Sequence, residues 1–204
     1  MRTFFVTGIG TDVGKTICAA ILVEALKADY WKPIQAGELE NTDSEKVKNL
    51  ISNSISKFHQ EQYLLKSAMS PHAASQREGI EINLDDFKIP ETKNLLVIEG
   101  AGGLMVPINS TGDLMIDLMV DLDPEIILVS QNYLGSINHT LLSIEALRHR
   151  GLKIKGIIFN GIANPETEEI ILKNSGIKCL GKIPQTEKVD CDFILEQAKL
   201  FEKL

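Results

Sequence analysis

Thr3-Phe4-Phe5-Val6-Thr7-Gly8-Ile9-Gly10-Thr11-Asp12-Val13-Gly14-Lys15-Thr16 is the stretch on which the fold turns. A β-branched and aromatic run enters a glycine-bearing turn, and Gly14-Lys15-Thr16 then opens the amphipathic segment Ile17 to Lys27. Strand, loop and helix in that order are the setting in which a phosphate-binding loop works. Backbone N–H groups of the loop and the first helical turn have no internal partners, so they converge on one point and bind an anion there. Lys15 brings a mobile positive charge to terminal phosphates, and the Thr16 hydroxyl can complete the shell of a magnesium ion. The stretch therefore predicts a nucleotide held by Asp12, Val13, Gly14, Lys15, Thr16 and Ile17. Its spacing departs from the usual pattern of four residues between the outer glycines. Here five residues, Ile9 to Val13, separate Gly8 from Gly14.

Outward from this loop, candidate strands alternate with candidate helices, with no internal repeat or low-complexity segment. That order calls for an α/β fold with a largely parallel central sheet covered by helices on both faces, in one domain spanning 1–204. Helix one is predicted to end near Ala28-Asp29, and Tyr30 to Pro33 reads as a very short second strand. Thr42-Asp43-Ser44-Glu45 is a capping box that starts a helix running to about Ile51. The polar, aperiodic region Asn53 to Pro90 reads as loops and short helices over one end of the sheet. Leu95 to Ile98, Glu125 to Ser130, Ile154 to Asn160 and Lys178 to Ile183 read as strands. Leu114 to Leu122 and Asn138 to Arg150 read as helices, the second stopping at Gly151. Asn164-Pro165 caps and opens a helix to Asn174, and Asp190 caps a terminal one.

A chain of 204 residues, 44% apolar and 24% charged, is ordinary globular material with room for a substantial core. Its net charge of −7 offers no basic stripe for nucleic acid. No apolar run approaches the roughly 20 residues that span a bilayer, and no signal region precedes the first strand, so no membrane partner and a cytoplasmic location are expected. Cys18, Cys179 and Cys191 are scattered without metal or redox spacing, and Cys18 reads as a buried apolar residue of helix one.

In a parallel sheet the functional residues gather at the carboxyl ends of the strands. Gly8 to Thr16, Lys32-Pro33, Glu99 to Gly103, Gln131 to Asn138, Asn160 and Pro184 all fall there. Glu99 ends an apolar strand, where an acid reaches a metal or its water, against the plainer reading of a solvated strand-end carboxylate. Asp43 at the start of a helix reads on its own as a cap. Lys32 is open between a surface lysine and a second cation at the phosphates. His72 and His139 lack partners at ligand spacing and read as hydrogen-bonded structural residues.

Several blocks resemble the dethiobiotin synthetase family, ATP-dependent enzymes of biotin synthesis within the P-loop NTPase superfamily. They are Gly8 to Thr16, Trp31-Lys32-Pro33-Ile34-Gln35-Ala36-Gly37, Asn41-Thr42-Asp43, Ser70-Pro71-His72, Ile98-Glu99-Gly100-Ala101-Gly102-Gly103, Leu134-Gly135-Ser136-Ile137-Asn138-His139 and Gly181-Lys182-Ile183-Pro184. They run in family order over nearly the whole chain.

The resemblance implies that carbon dioxide adds to one amine of 7,8-diaminopelargonate, that ATP phosphorylates the carbamate, and that the second amine closes a cyclic urea. It implies magnesium on Thr16, Asp43 and Glu99, which turns Asp43 from cap to ligand, and catalytic roles for Lys15 and Lys32. Gly100, Ala101 and Gly102 would line the nucleotide, and Asn160, Pro184, Gln185 and Thr186 would recognise adenine. Thr11, Lys32 and Ala36 would face the diamine. Family members are homodimers, so Gly135, Ser136 and Asn138 would serve the neighbouring site.

Some positions depart from the family pattern. Gly10 replaces a common acidic residue, Asp12 stands where Glu is frequent, and Ala36 lacks the hydroxyl that often touches substrate. Two rivals share the loop style. Amidotransferase-type synthetases carry a glutamine-hydrolysing domain for which this chain has no room. Partitioning-type nucleotide switches place a lysine five positions before the loop lysine, and here that position is Gly10.

Overall fold

The structure, a computed structural model, describes residues 2–204. Its strands are β1 (Thr3–Gly8), β2 (Asp29–Trp31), β3 (Ile34–Ala36), β4 (Phe58–His59), β5 (Tyr63–Leu65), β6 (Leu96–Gly103), β7 (Glu125–Gln131), β8 (Ile154–Gly161) and β9 (Cys179–Pro184). The helices are α1 (Lys15–Leu26), α2 (Asp43–Leu50), α3 (Pro71–Glu78), α4 (Met115–Leu122), α5 (Ser136–His149), α6 (Pro165–Ser175) and α7 (Cys191–Ala198).

Seven strands form one parallel sheet in the order β4-β2-β6-β1-β7-β8-β9. The central strands are apolar almost without interruption because both faces are covered. One face, with Phe4, Val6, Tyr30, Val97, Ile127 and Val129, packs against α1 and α7. The other, with Phe5, Trp31, Leu96, Ile98 and Ile126, packs against α4. Leu128, Ile157 and Phe159 extend that second layer beneath Ile144 of α5 and Ile171 of α6. Helix α1 carries its buried residues almost all round, including Cys18, Ala19, Ala20, Ile21, Leu22 and Val23, which makes it a core helix rather than a surface one.

The α/β architecture is as the sequence predicts, with three local differences. Tyr30 to Pro33 is not one strand: β2 ends at Trp31, and the chain breaks at Lys32-Pro33 before β3 begins. Proline cannot donate to a ladder, so the strand stops there. The region 53–90 holds α3 and a 3₁₀ turn at Leu84–Asp86 as expected, but also β4, which extends the main sheet, and β5, which pairs with β3 in a separate two-stranded sheet. Strand β6 runs on through Glu99-Gly100-Ala101-Gly102-Gly103 instead of stopping at Ile98. Helix caps follow the sequence closely: Thr42 and Glu45 form the capping box, and Asn164 and Asp190 accept from Thr167 and Phe193 N–H groups. Among the described residues, no helix is long and apolar enough to cross a membrane.

Candidate active site

The carboxyl ends of β1, β2 and β6 open onto a cleft of about 1020 Å³. Its base is the turn from β1 to α1. Gly14 sits at φ 90°, and a Cβ there would fall 2.1 Å from Asn160 Nδ2, so only glycine fits. Asn160, at the end of β8, donates from Nδ2 to the Val13 carbonyl at 3.0 Å and braces the loop. Lys15 Nζ folds back onto the Gly10 carbonyl at 3.0 Å. Burial pulls the Lys15 ammonium below its ordinary value, Glu99 pushes it back up, and the nearby Lys32 charge adds to the lowering. A group so placed is held largely desolvated beside the free N–H groups of the α1 terminus, which together favour an anion.

Above this loop three side chains, from α1, from β2 and from the break after β2, meet at one carboxylate of β6. Adjacent strands pair Tyr30 with Val97 and Trp31 with Ile98, so Tyr30, Val97 and Glu99 share the sheet face toward α1. Glu99 Oε1 accepts from Thr16 Oγ1 at 2.8 Å and from Lys32 Nζ at 3.0 Å, and Oε2 accepts from Tyr30 OH at 2.8 Å. Lys32 Nζ also contacts Asp43 Oδ2 at 2.7 Å and donates to the Gly100 carbonyl at 3.2 Å. Lys32 is 4% exposed and Glu99 1%. Neither is the surface residue that the plainer sequence reading allows.

Burial works to lower the Lys32 ammonium, but Glu99 and Asp43 outweigh it and hold it above its ordinary value. For Asp43 burial works upward, and Lys32 followed by Lys46 holds the carboxyl below its usual range. The cap reading of Asp43 is corrected: Thr42 is the N-cap, and Asp43 is the first helical residue with its side chain turned onto Lys32. Gln35 Oε1 fixes that turn by accepting from the Asp43 N–H at 3.2 Å.

Thr16, Asp43 and Glu99 offer hard oxygen donors alone, the set that suits magnesium. Among the described residues, no three His, Cys, Asp or Glu side chains gather as a metal cage. Two carboxylates and a hydroxyl fit a cation that shares its shell with phosphate and water, as magnesium does when bound with a nucleotide.

The cleft brings together most of the residues singled out from sequence. Thr11, Asp12, Gly14, Lys15, Thr16, Ile17, Lys32, Ala36, Asp43, Glu99, Ala101 and Gly102 line it, whereas Val13 is buried beneath the loop. Pro184 pairs with Gly161 next to Asn160, and with Gln185 and Thr186 it is exposed at the rim of β9 rather than in the cleft. Gly135, Ser136 and Asn138 lie apart from the cleft, at the start of α5. Ser136 is buried there, Asn138 is exposed, and Leu134 beside them is wholly exposed. Of the two histidines, His139 Nδ1 meets Tyr133 OH at 2.7 Å as expected, while buried Nδ1 of His72 has no partner.

Sequence reasoning passed over Tyr30, Gln35 and Lys46. Alternation along a strand places Tyr30 two residues before Lys32 on one face, a signal that was present. Lys46 lies one turn along α2 from Asp43, a pairing that helical spacing already offers, whereas Gln35 reaches Asp43 through tertiary proximity.

A helix that begins at the loop closing a central parallel strand, with a lysine and a threonine in its first turn and an acid on the adjoining strand, defines the P-loop nucleotide-binding class. Residues 2–191 match the AAA domain family. The chain is 52% identical over 202 residues to the ATP-dependent dethiobiotin synthetase BioD of Christiangramia forsetii, covering 99% of this chain and 97% of that one. It is 50% identical over 204 residues to the BioD of Cytophaga hutchinsonii, covering 99% and 98%. The chain belongs to the ATP-dependent dethiobiotin synthetase family. Solved structures with the same fold include a putative plasmid partition protein from Borrelia burgdorferi bound to AMPPNP, at TM-score 0.61 and 13% identity over 98% of this chain and 96% of that one. Another is the septum site-determining protein MinD from Pyrococcus horikoshii, at TM-score 0.57 and 15% identity over 99% and 96%.

Proposed function

We propose that the whole chain acts as one domain that carboxylates 7,8-diaminopelargonate with carbon dioxide and closes the cyclic urea of dethiobiotin, converting ATP to ADP and phosphate. The observation that carries this reading is the second buried ammonium. A loop lysine alone serves any P-loop protein, but Lys32 is sealed between Asp43 and Glu99 beside the phosphate loop. A carbamate and a γ-phosphate brought together need such a charge, because both bear negative oxygens that repel until one is neutralised.

In this reading the loop N–H groups and Lys15 hold the triphosphate, and Thr16, Asp43 and Glu99 hold magnesium. Magnesium supplies charge neutralisation on the phosphates. Lys32 exchanges a carboxylate oxygen for a carbamate oxygen when substrates enter, and holds the carbamate toward the γ-phosphate. Ala36, beside the same cleft, offers the diamine backbone contacts in place of the hydroxyl it lacks. Asn160 and the Pro184 to Thr186 segment recognise adenine. The chain works as a homodimer in which Gly135, Ser136 and Asn138 reach the neighbour's substrate, which accounts for the exposed Leu134 beside them.

The test is incubation of the protein with ATP, magnesium, bicarbonate and the diamine, with the product read by mass spectrometry. A cyclic urea that requires all four is expected. ATP hydrolysis at an equal rate with and without the diamine, and no urea, would return the chain to a nucleotide-switch role.

A further inference from the structure

Tyr30 has no part in the scheme above, yet among the described residues its hydroxyl is the one group hydrogen-bonded to the second oxygen of Glu99. Tyr30 is fully buried, its ring lies 5.5 Å from that of Phe58, and its backbone is paired on both sides, with Val97 of β6 and Phe58 of β4. The hydroxyl therefore has one place to point, and it donates to Glu99 Oε2 at 2.8 Å. Glu99 Oε1 is left facing the Thr16 hydroxyl and the Lys32 ammonium. The carboxylate is thus oriented with Oε1 toward the cleft and Oε2 toward Tyr30.

From this geometry we infer that Tyr30 is a positioning residue that restricts Glu99 to single-oxygen coordination, and that it thereby makes the site select magnesium over calcium. The inference rests on the reading of Thr16, Asp43 and Glu99 as the cation site. Magnesium takes a compact octahedral shell with single oxygens and waters. Calcium accepts bidentate carboxylates and more ligands at longer distances. A locked single oxygen suits the first ion and denies the second its preferred contact. Hydrogen bonds that orient a ligating carboxylate commonly change metal affinity by ten- to a hundredfold when removed.

The test compares wild type with Tyr30→Phe, which keeps the ring and its packing on Phe58 and removes only the hydroxyl. Each protein is loaded with a non-hydrolysable ATP analogue and Mn²⁺, and Mg²⁺ and Ca²⁺ are titrated in competition while bound Mn²⁺ is read by electron paramagnetic resonance. The magnesium-to-calcium affinity ratio is expected to fall about tenfold in Tyr30→Phe, through weaker magnesium and unchanged or tighter calcium binding. Phe58→Leu, which loosens the ring and retains the hydroxyl, is expected to keep the wild-type ratio. An unchanged ratio in Tyr30→Phe, an equal loss for both ions, or the same shift in Phe58→Leu would overturn the inference alone. Failure of the wild type to bind Mn²⁺ with the analogue would overturn it together with the cation site beneath it.

Discussion

Replacing Lys32 by methionine, which keeps most of the side chain's volume and removes its charge, separates what this residue does for the fold from what it does for the reaction. The ammonium is the shared counter-charge of Asp43 and Glu99, at 2.7 and 3.0 Å. Its loss strands a carboxylate that is 1% exposed, whereas Asp43, 18% exposed at the side chain, can rehydrate. Breaking a buried pair from one side costs about 3–5 kcal/mol, and the partial access of Asp43 puts this case near 3 kcal/mol. For a chain of this size that corresponds to a melting-temperature drop of about 6–12 °C. Trp31 is the sole tryptophan, is 2% exposed and adjoins the substituted position, so its fluorescence reports the unfolding directly. In the reaction, removing a charge that meets developing negative oxygen is expected to lower dethiobiotin formation by at least ~10²-fold. Near-normal turnover in Lys32→Met would remove the residue from the mechanism. Unchanged melting would show that the two carboxylates do not depend on it.

Glu24 provides a second test, far from the chemistry: it accepts N–H groups from Ser52 at 2.7 Å and Asn53 at 3.1 Å and so ties α1 to the segment after α2. Burial alone would raise its carboxyl, but Lys27 and those N–H groups bring it from 4.5 down to about 2. The folded value lies below the unfolded one, so the contribution, about 2–3 kcal/mol, is present above pH 4.5 and is lost as the pH falls toward 2. Chemical denaturation at pH 6 and pH 3 should show wild type losing more than half of this increment and Glu24→Gln lacking it at both; parallel pH profiles would count against it. Gly14→Ala forces a Cβ into Asn160 at a left-handed φ, so isothermal titration with an ATP analogue should show affinity reduced at least ~10-fold, about 1.4 kcal/mol. Wild-type affinity would mean that the loop opens without Asn160. Sedimentation should give a dimer, and a strictly monomeric active species would refute the shared substrate site.

The agreement between sequence and structure follows the range of the interactions involved. Capping at Thr42, Asn164 and Asp190 is set within three residues and was legible directly. Strands β4 and β5, two and three residues long, carry no period of their own and exist because neighbouring strands pair with them, so Asn53 to Pro90 read as loops and short helices alone. The likeness in fold to partition and MinD proteins at 13–15% identity extends the same point, since layers and connections persist where site residues differ.

Sequence by itself determined the phosphate loop, the alternation of strand and helix, and the family, because each is written in contiguous residues whose backbone chemistry is local. Only the tertiary structure decided that Lys32 is sealed rather than solvated, that Asp43 turns to it rather than capping its helix, and that Tyr30 holds the far oxygen of Glu99. Those three facts join residues that lie up to 69 positions apart. Charge and burial at such a point depend on which strands lie side by side, a property of the assembled sheet rather than of any one segment.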